Sequence, residues 1–210
     1  MPKPETSSRR TLAADLRRRD LLDAGERIIL QKGSAATTVD DITRAAGVAK
    51  GTFYLYFKSK EDLLEALRTR FSDGCRKRIE TLCAKLPGAD WTGRLDAWVD
   101  GGIRHYLDHI ELHNVLFEAG QHNHGSLADS PLLAQLTELI RAGAAASVWR
   151  AESPELLSLV LFYALHGIVD HIVSSHRTDY KAVIRLSQRI VRQTMGLAPE
   201  PAGAHSLTRS

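Results

Sequence analysis

Lys50, Gly51, Thr52, Tyr54 and Tyr56 fall within one short segment of the chain. Their ammonium, hydroxyl and phenol groups are hydrogen-bond donors suited to phosphate oxygens and base edges. Gly51 adds no side-chain bulk, so a backbone there can approach closely. Phe53 and Phe57, four apart, share one face of a helix and can anchor it to a core, leaving the polar groups to point elsewhere. Such a cluster suits the grip of a polyanion. No catalytic triad or metal-hydrolase pattern accompanies it, so the chain does not read as an enzyme.

The preceding residues explain how the cluster would be held. Thr38 is a good helix N-cap and Asp41, three residues on, completes an approximate capping box. Ile42, Ala45 and Ala46 give the helix an apolar face. Gly47 ends it, because the residue past a helix end commonly needs a positive φ. Val48 fills the gap, and Ala49 to Tyr56 forms the next short helix. Two short helices joined by a glycine turn form a helix-turn-helix unit, whose second helix enters the DNA major groove.

The run GVAKGTFYLYFKSKEDLL closely resembles the helix-turn-helix signature of the TetR family of bacterial transcriptional regulators. The order Gly-Val-x-Lys-Gly-Thr-x-Tyr-x-x-Phe-x-x-Lys is specific, and the resemblance extends over about residues 17–67. It implies that Lys50, Gly51, Thr52 and Tyr54 take the DNA-contacting positions of the recognition helix, with Tyr56 and Lys60 adjacent. Lys50 and Thr52 can reach a base edge or a phosphate. Tyr54 and Lys60 would grip phosphates, and Thr38 would present its hydroxyl and nearby amides at a helix N-terminus. Gly25 and Ile29 depart from the family's usual alanine and phenylalanine, as changes of packing only.

Charge distribution agrees with a DNA-facing N-terminal module. Residues 1–70 hold 14 Lys/Arg against 10 Asp/Glu, whereas 71–210 hold 14 against 15, so the net +3 of the chain arises entirely in the first third. Arg17, Arg18 and Arg19 make a backbone role credible, since each neutralised phosphate adds a salt-dependent increment of affinity. Hydrophobic content of 43% and charged content of 25% are those of a globular protein with a real core. Cys75 and Cys83, eight apart on one expected helix, would sit about 12 Å from each other, too far for a disulfide. That suits a reducing cytoplasm. The N-terminus carries arginines without an apolar region, so no signal peptide is visible. The apolar run from Leu156 to Val173 is interrupted by Ser158, His166, Asp170 and His171 and reads as a buried helix rather than a membrane span.

Along the chain the pattern predicts an all-α protein of about nine helices. Residues 1–13 read as a flexible basic arm, 14–60 as the helix-turn-helix domain, 61–197 as a ligand-binding and dimerisation domain, and 198–210 as a disordered tail. The first helix is expected from about Leu16 to Lys32, ending at Gly33. Ser59 caps a long helix from Lys60 to Pro87-Gly88, which the family uses as the mechanical link between effector pocket and DNA-binding head. Asp90 to Glu118 is helical with a break near 109–114, Gly120 to Ser130 is a loop, and Ser130-Pro131 opens a helix to about Arg150. Ser153-Pro154 opens another to Ser175, and Asp179 to Met195 ends at Gly196.

The helix from Pro154 is apolar nearly all round, so a second subunit is expected to cover one of its faces. The dimer surface is assigned to Leu157, Leu161, Leu165, Ile168, Val183, Leu186 and Ile190. The resemblance implies a four-helix interface with the symmetry mates, two heads facing one palindromic operator. Trp98, Tyr106, Phe117, Trp149, Phe162, Tyr163 and His166 are the candidates for an effector pocket.

Histidines supply the competing signal. His105, His109 and His113 repeat every fourth residue, His122 and His124 lie in the loop, and His166, Asp170 and His171 on the apolar helix. Such groups suit zinc or nickel, but no HExxH-like pattern or Cys–His clustering is present. The reading is therefore a dimeric, cytoplasmic DNA-binding repressor, without cofactor, metal or membrane, released by a small molecule. A metal-responsive regulator and a helical enzyme with a vestigial head are the alternatives.

Overall fold

A computed structural model describes residues 5–117, 130–175 and 179–197. All regular structure among them is helical: α1 (Glu5–Ala36), α2 (Val39–Ala46), α3 (Lys50–Tyr54), α4 (Lys60–Cys83), α5 (Trp91–Asp108), α6 (Ile110–Leu116), α7 (Pro131–Ala145), α8 (Pro154–Ser174) and α9 (Tyr180–Thr194). The loop expected at 120–130 and the tail from 198 lie outside the described residues, save Ser130.

The chain divides into two compact units, and the division does not follow the expected boundary at residue 60. One unit combines the chain up to Asp73 with the segment from His109. The other begins at Gly74, runs to Asp108 and takes up the chain again beyond α6. Both units draw on α4. The reason lies in packing: Leu63, Leu64 and Leu67 of α4 and Leu116 of α6 belong to the same buried cluster as Leu21, Ile29, Ile42, Phe53 and Phe57. A short helix-turn-helix cannot bury enough apolar surface alone.

In the first unit, α1 begins at Glu5 rather than near Leu16, because no Gly or Pro interrupts the sequence after Pro4. Gly33 breaks its regularity with φ 82° and ψ 160°. Gly25 faces α4 so closely that a Cβ would lie 2.8 Å from Leu63 Cδ2. The departure from alanine at that position is therefore a steric fit. Arg70 of α4 then ties back to α1 through Asp23, at 2.5 Å, and through Glu26.

In the second unit, α5, α7, α8 and α9 enclose a core of Leu95, Trp98, Val99, Leu136, Ile140, Leu161, Phe162, Leu165, Ile184 and Val191. Arg192 of α9 forks onto the carboxylate of Asp96 on α5. Ser158 and Thr137 share a part-buried hydroxyl contact of 2.7 Å between α8 and α7. Helix α7 stops at Ala145, five residues short of the expected end. There Ser147 adopts φ 59°, and Ser147 and Val148 N–H groups return to the carbonyls of Ala144 and Gly143. The chain turns because Trp149 folds back: its Nε1 donates to the Ile140 carbonyl at 2.8 Å, and its ring occupies the space above Gly143.

Helix α8 turns a different stripe outward from the one expected. Leu161 and Leu165 are buried within their own unit, while Leu156, Val160 and Tyr163 are exposed. Nothing in an all-round apolar helix says which stripe faces inward. On α9, Leu186 and Ile190 are exposed as expected, and Val183 is half-buried. By length and composition α8 could cross a membrane, with mean hydropathy 1.8, but a third of that stretch is buried against neighbouring helices.

Candidate nucleic-acid interface

Helix α2 is capped as its sequence dictates. The Asp41 amide donates to Thr38 Oγ1 at 3.2 Å, and the Thr38 amide donates to Asp41 Oδ2 at 3.0 Å. The same carboxylate receives the Thr38 hydroxyl and the Lys32 ammonium. Those hydrogen bonds, Lys32's foremost, hold the Asp41 pKa well below the usual carboxylate range. Gly47 closes the helix at φ 67°, with its amide on the Arg44 carbonyl and that of Val48 on the Thr43 carbonyl. Both ends of α2 are thus fixed by local chemistry.

Helix α3 is one turn and a half, Lys50–Tyr54, with Leu55 and Tyr56 continuing as a turn instead of helix. Phe53 and Phe57 are completely or almost completely buried, their ring centroids 5.5 Å apart, and hold the segment against the core. That anchoring turns Lys50, Gly51, Tyr54 and Leu55 to solvent, and leaves Thr52 half-exposed. Gly51 has open space where a Cβ would stand. The Tyr54 ring is 52% exposed and stands edge-on to Phe53 at 5.4 Å, so it projects from a fixed support.

The structure brings five expected residues, Thr38, Lys50, Gly51, Thr52 and Tyr54, onto the two short helices of the turn. Four others have company of their own. Lys60 donates to the Ser34 carbonyl at 3.0 Å, which fixes the start of α4 against the end of α1. Tyr56 packs on the core cluster. The Arg18 guanidinium lies 5.2 Å over the Phe57 ring, and Arg17 pairs with Asp20 at 3.5 Å. Sequence reading missed Arg44, 80% exposed in its side chain at the last turn of α2, and Asp40, whose carboxylate holds Lys50 Nζ at 2.9 Å. The pair lies within the capped turn itself, and Asp40 raises the Lys50 pKa. What the face offers chemically is cationic and hydroxyl donors on a short turn whose helix ends are capped.

The expected effector residues separate. Trp98 and Tyr106 of α5 meet Phe162 and His166 of α8 in one unit. Phe117 belongs to the other unit, on Phe71 and His113. Trp149 plugs the end of α7, and Tyr163 faces outward. The histidine ladder is also broken. His109 is the junction between α5 and α6, His105 is buried against Gly74, and His113 stacks in the head unit. Among the described residues no three His, Cys, Asp or Glu side chains gather to hold a metal ion. His122 and His124 lie outside them.

Residues 21–67 match the family of bacterial regulatory proteins named after tetR. The chain is similar to the transcriptional regulator BetI of Cronobacter sakazakii, 26% identical over 193 residues that cover 88% of this chain and 94% of that protein. It is 34% identical to the transcriptional regulator EthR of Mycobacterium tuberculosis over 109 residues, 52% of this chain and 49% of that one. The solved structure of the fatty acid degradation regulator FadR from Bacillus halodurans superposes with a TM-score of 0.68. It is 23% identical and covers 83% of this chain and 93% of that chain. With the turn geometry, the matched segment and relatives that align almost end to end, the chain carries the DNA-binding segment of the TetR family and resembles bacterial transcriptional regulators over most of its length.

Proposed function

We propose that the chain is a cytoplasmic, dimeric repressor that binds a palindromic DNA operator through α3 and is released by a small molecule. The observation that carries this reading is the capped α2–turn–α3 unit, which buries Phe53 and Phe57 and presents Lys50, Thr52 and Tyr54 together. In the groove, Lys50 and Thr52 would read base edges or grip phosphates, Gly51 would admit the sugar-phosphate backbone, and Tyr54 would hold a phosphate oxygen. Arg44 and the capped N-terminus at Thr38 would add phosphate contacts.

Dimerisation supplies the second half-site. The exposed stripe of Leu156, Val160 and Tyr163 on α8, with Leu186 and Ile190 on α9, is the surface that a second copy would cover. Release follows from a two-state equilibrium: an effector that binds the DNA-incompetent state better shifts the population, and α4, whose residues fall in both units, is one covalent route between them.

Selection of bound sequences from random duplex DNA at near-physiological salt tests the reading. The expected result is a palindrome with half-sites about one helical turn apart. Folded protein that enriches no sequence would overturn it.

A further inference from the structure

Two buried rings fix which way α3 faces. Phe53 is wholly buried and Phe57 is 2% exposed. Leu55 lies two residues from each and keeps helical angles, φ −75° and ψ −21°. The turn around it is closed, with the Leu55 amide on the Thr52 carbonyl at 3.3 Å and the Phe57 amide on the Phe53 carbonyl at 3.0 Å. Two residues are about 160° of rotation in a helix, so Leu55 points away from the core that holds both rings. Gly51, two residues before Phe53, does the same. Gly51 and Leu55, four apart, therefore stand within about 40° of each other on the outward face.

That face has an apolar centre and polar flanks. Leu55 is 79% exposed, more than any other large hydrophobic residue among those described. Beside it Gly51 is exposed, with open space where a Cβ would stand. By helical rotation Lys50 and Tyr54 lie to one side of this pair and Thr52 to the other. A lone exposed leucine elsewhere on a surface needs no explanation. This one occupies the middle of the face proposed to enter the major groove, where neither it nor Gly51 brings a side-chain hydrogen-bonding group.

The chemistry of the groove then discriminates. Adenine, guanine and cytosine present donors and acceptors at their major-groove edges, and thymine alone adds a methyl group at C5. Against a polar edge the Leu55 side chain would displace water and return no hydrogen bond, which is unfavourable. Against the thymine methyl both surfaces are apolar, and their contact removes area from water. Gly51, without a side chain, lets the base edge come close to the helix backbone.

We infer that Leu55 is a specificity-determining residue that selects thymine at one position of each half-site, by packing on the C5-methyl group beside Gly51. The inference rests on the regulator reading and names a base that its operator must contain.

The test begins with the palindrome selected by the wild-type chain from random duplex DNA. Each of its thymines is replaced in turn, in both half-sites together, by deoxyuridine, which pairs as thymine does and lacks only the methyl. Affinity is read by fluorescence anisotropy at fixed salt. One symmetric thymine pair is expected to stand out, its replacement weakening wild-type binding about fourfold per half-site, the worth of one buried methyl. Leu55→Ala, safe for folding at so exposed a position, is expected to bind the thymine and uracil forms equally. Thr52→Ser removes the neighbouring methyl but keeps the hydroxyl, and is expected to retain the wild-type sensitivity to uracil.

A selected palindrome in which no uracil replacement weakens wild-type binding twofold overturns the inference. So does an equal loss on uracil in Leu55→Ala, or a loss of sensitivity in Thr52→Ser alone, which would assign the contact to Thr52. In each of these cases the regulator reading stands, because the palindrome has been recovered. Folded protein that enriches no sequence overturns both.

Discussion

Asp40 places a negative charge on the proposed DNA-binding surface, 2.9 Å from Lys50 Nζ across the short loop. Both groups are more than half exposed, so the pair is worth little as a source of stability. Its consequence is positional. A phosphate that reaches Lys50 must displace Asp40, whereas a base edge that fits α3 supplies a bidentate replacement. Asp40→Asn is therefore expected to tighten binding to random duplex DNA by roughly two- to fivefold, the range of an exposed pair, and to leave operator binding less discriminating. Fluorescence anisotropy with operator and scrambled duplexes measures both. Unchanged or weaker binding to scrambled DNA would remove Asp40 from this role. The placement of Lys50, Thr52 and Tyr54 on an outward-facing short helix was legible from residue types and spacing, because local sequence specifies that helix. Lys60 and Arg18 were less so: each reaches a partner far along the chain, Ser34 and Phe57 respectively, that only the folded head brings near.

At the scale of elements, α2 shows what a sequence specifies without help. Thr38, Asp41 and Gly47 sit at the positions where unpaired amides and carbonyls must be satisfied, and the structure satisfies them there. Thr38→Ala is expected to cost about 1 kcal/mol in chemical denaturation, the usual worth of an N-cap. The cap also sets an acid limit. Lys32 and Thr38 hold the Asp41 carboxyl below its ordinary value of 3.8, so the folded state gains stability above that pH. The gain is lost as pH falls through the lowered folded value, because the unfolded chain takes up the proton first. Asp41→Asn is expected to flatten this acid limb of the stability curve while changing its slope little at neutral pH. An identical acid limb in the variant would mean that other carboxylates govern it. Helix α7 shows the opposite case. Its period runs on to Arg150, and its end at Ala145 is imposed by Trp149 lying over Gly143, a tertiary contact that no local pattern signals.

For the whole molecule, the proposed dimer raises the question of which surface a second copy would cover, and α8 bears on it most. Two apolar stripes run along this helix, and the sequence gives no reason to prefer either. Packing within the chain separates them: Leu161 and Leu165 are 4% and 7% exposed, Leu156 and Val160 are 65% and 61% exposed, and Leu186 and Ile190 of α9 are exposed too, which leaves the second stripe as the proposed interface. Arg192, forked onto Asp96, holds α9 to α5 on its inner side and so fixes which side is outward. The two stripes must then respond differently to substitution. Val160→Asp is expected to convert a dimer to a monomer in light scattering with the helical content unchanged, because the side chain makes few contacts in its own subunit. Operator affinity should fall with it, since each head then binds one half-site. Leu161→Ala is expected to leave the assembly dimeric but to cost 2–5 kcal/mol, roughly the range for a truncated core leucine. A Val160→Asp protein that stays dimeric would place the interface elsewhere, and the geometry of the two heads on one operator would have to be rebuilt from that other surface.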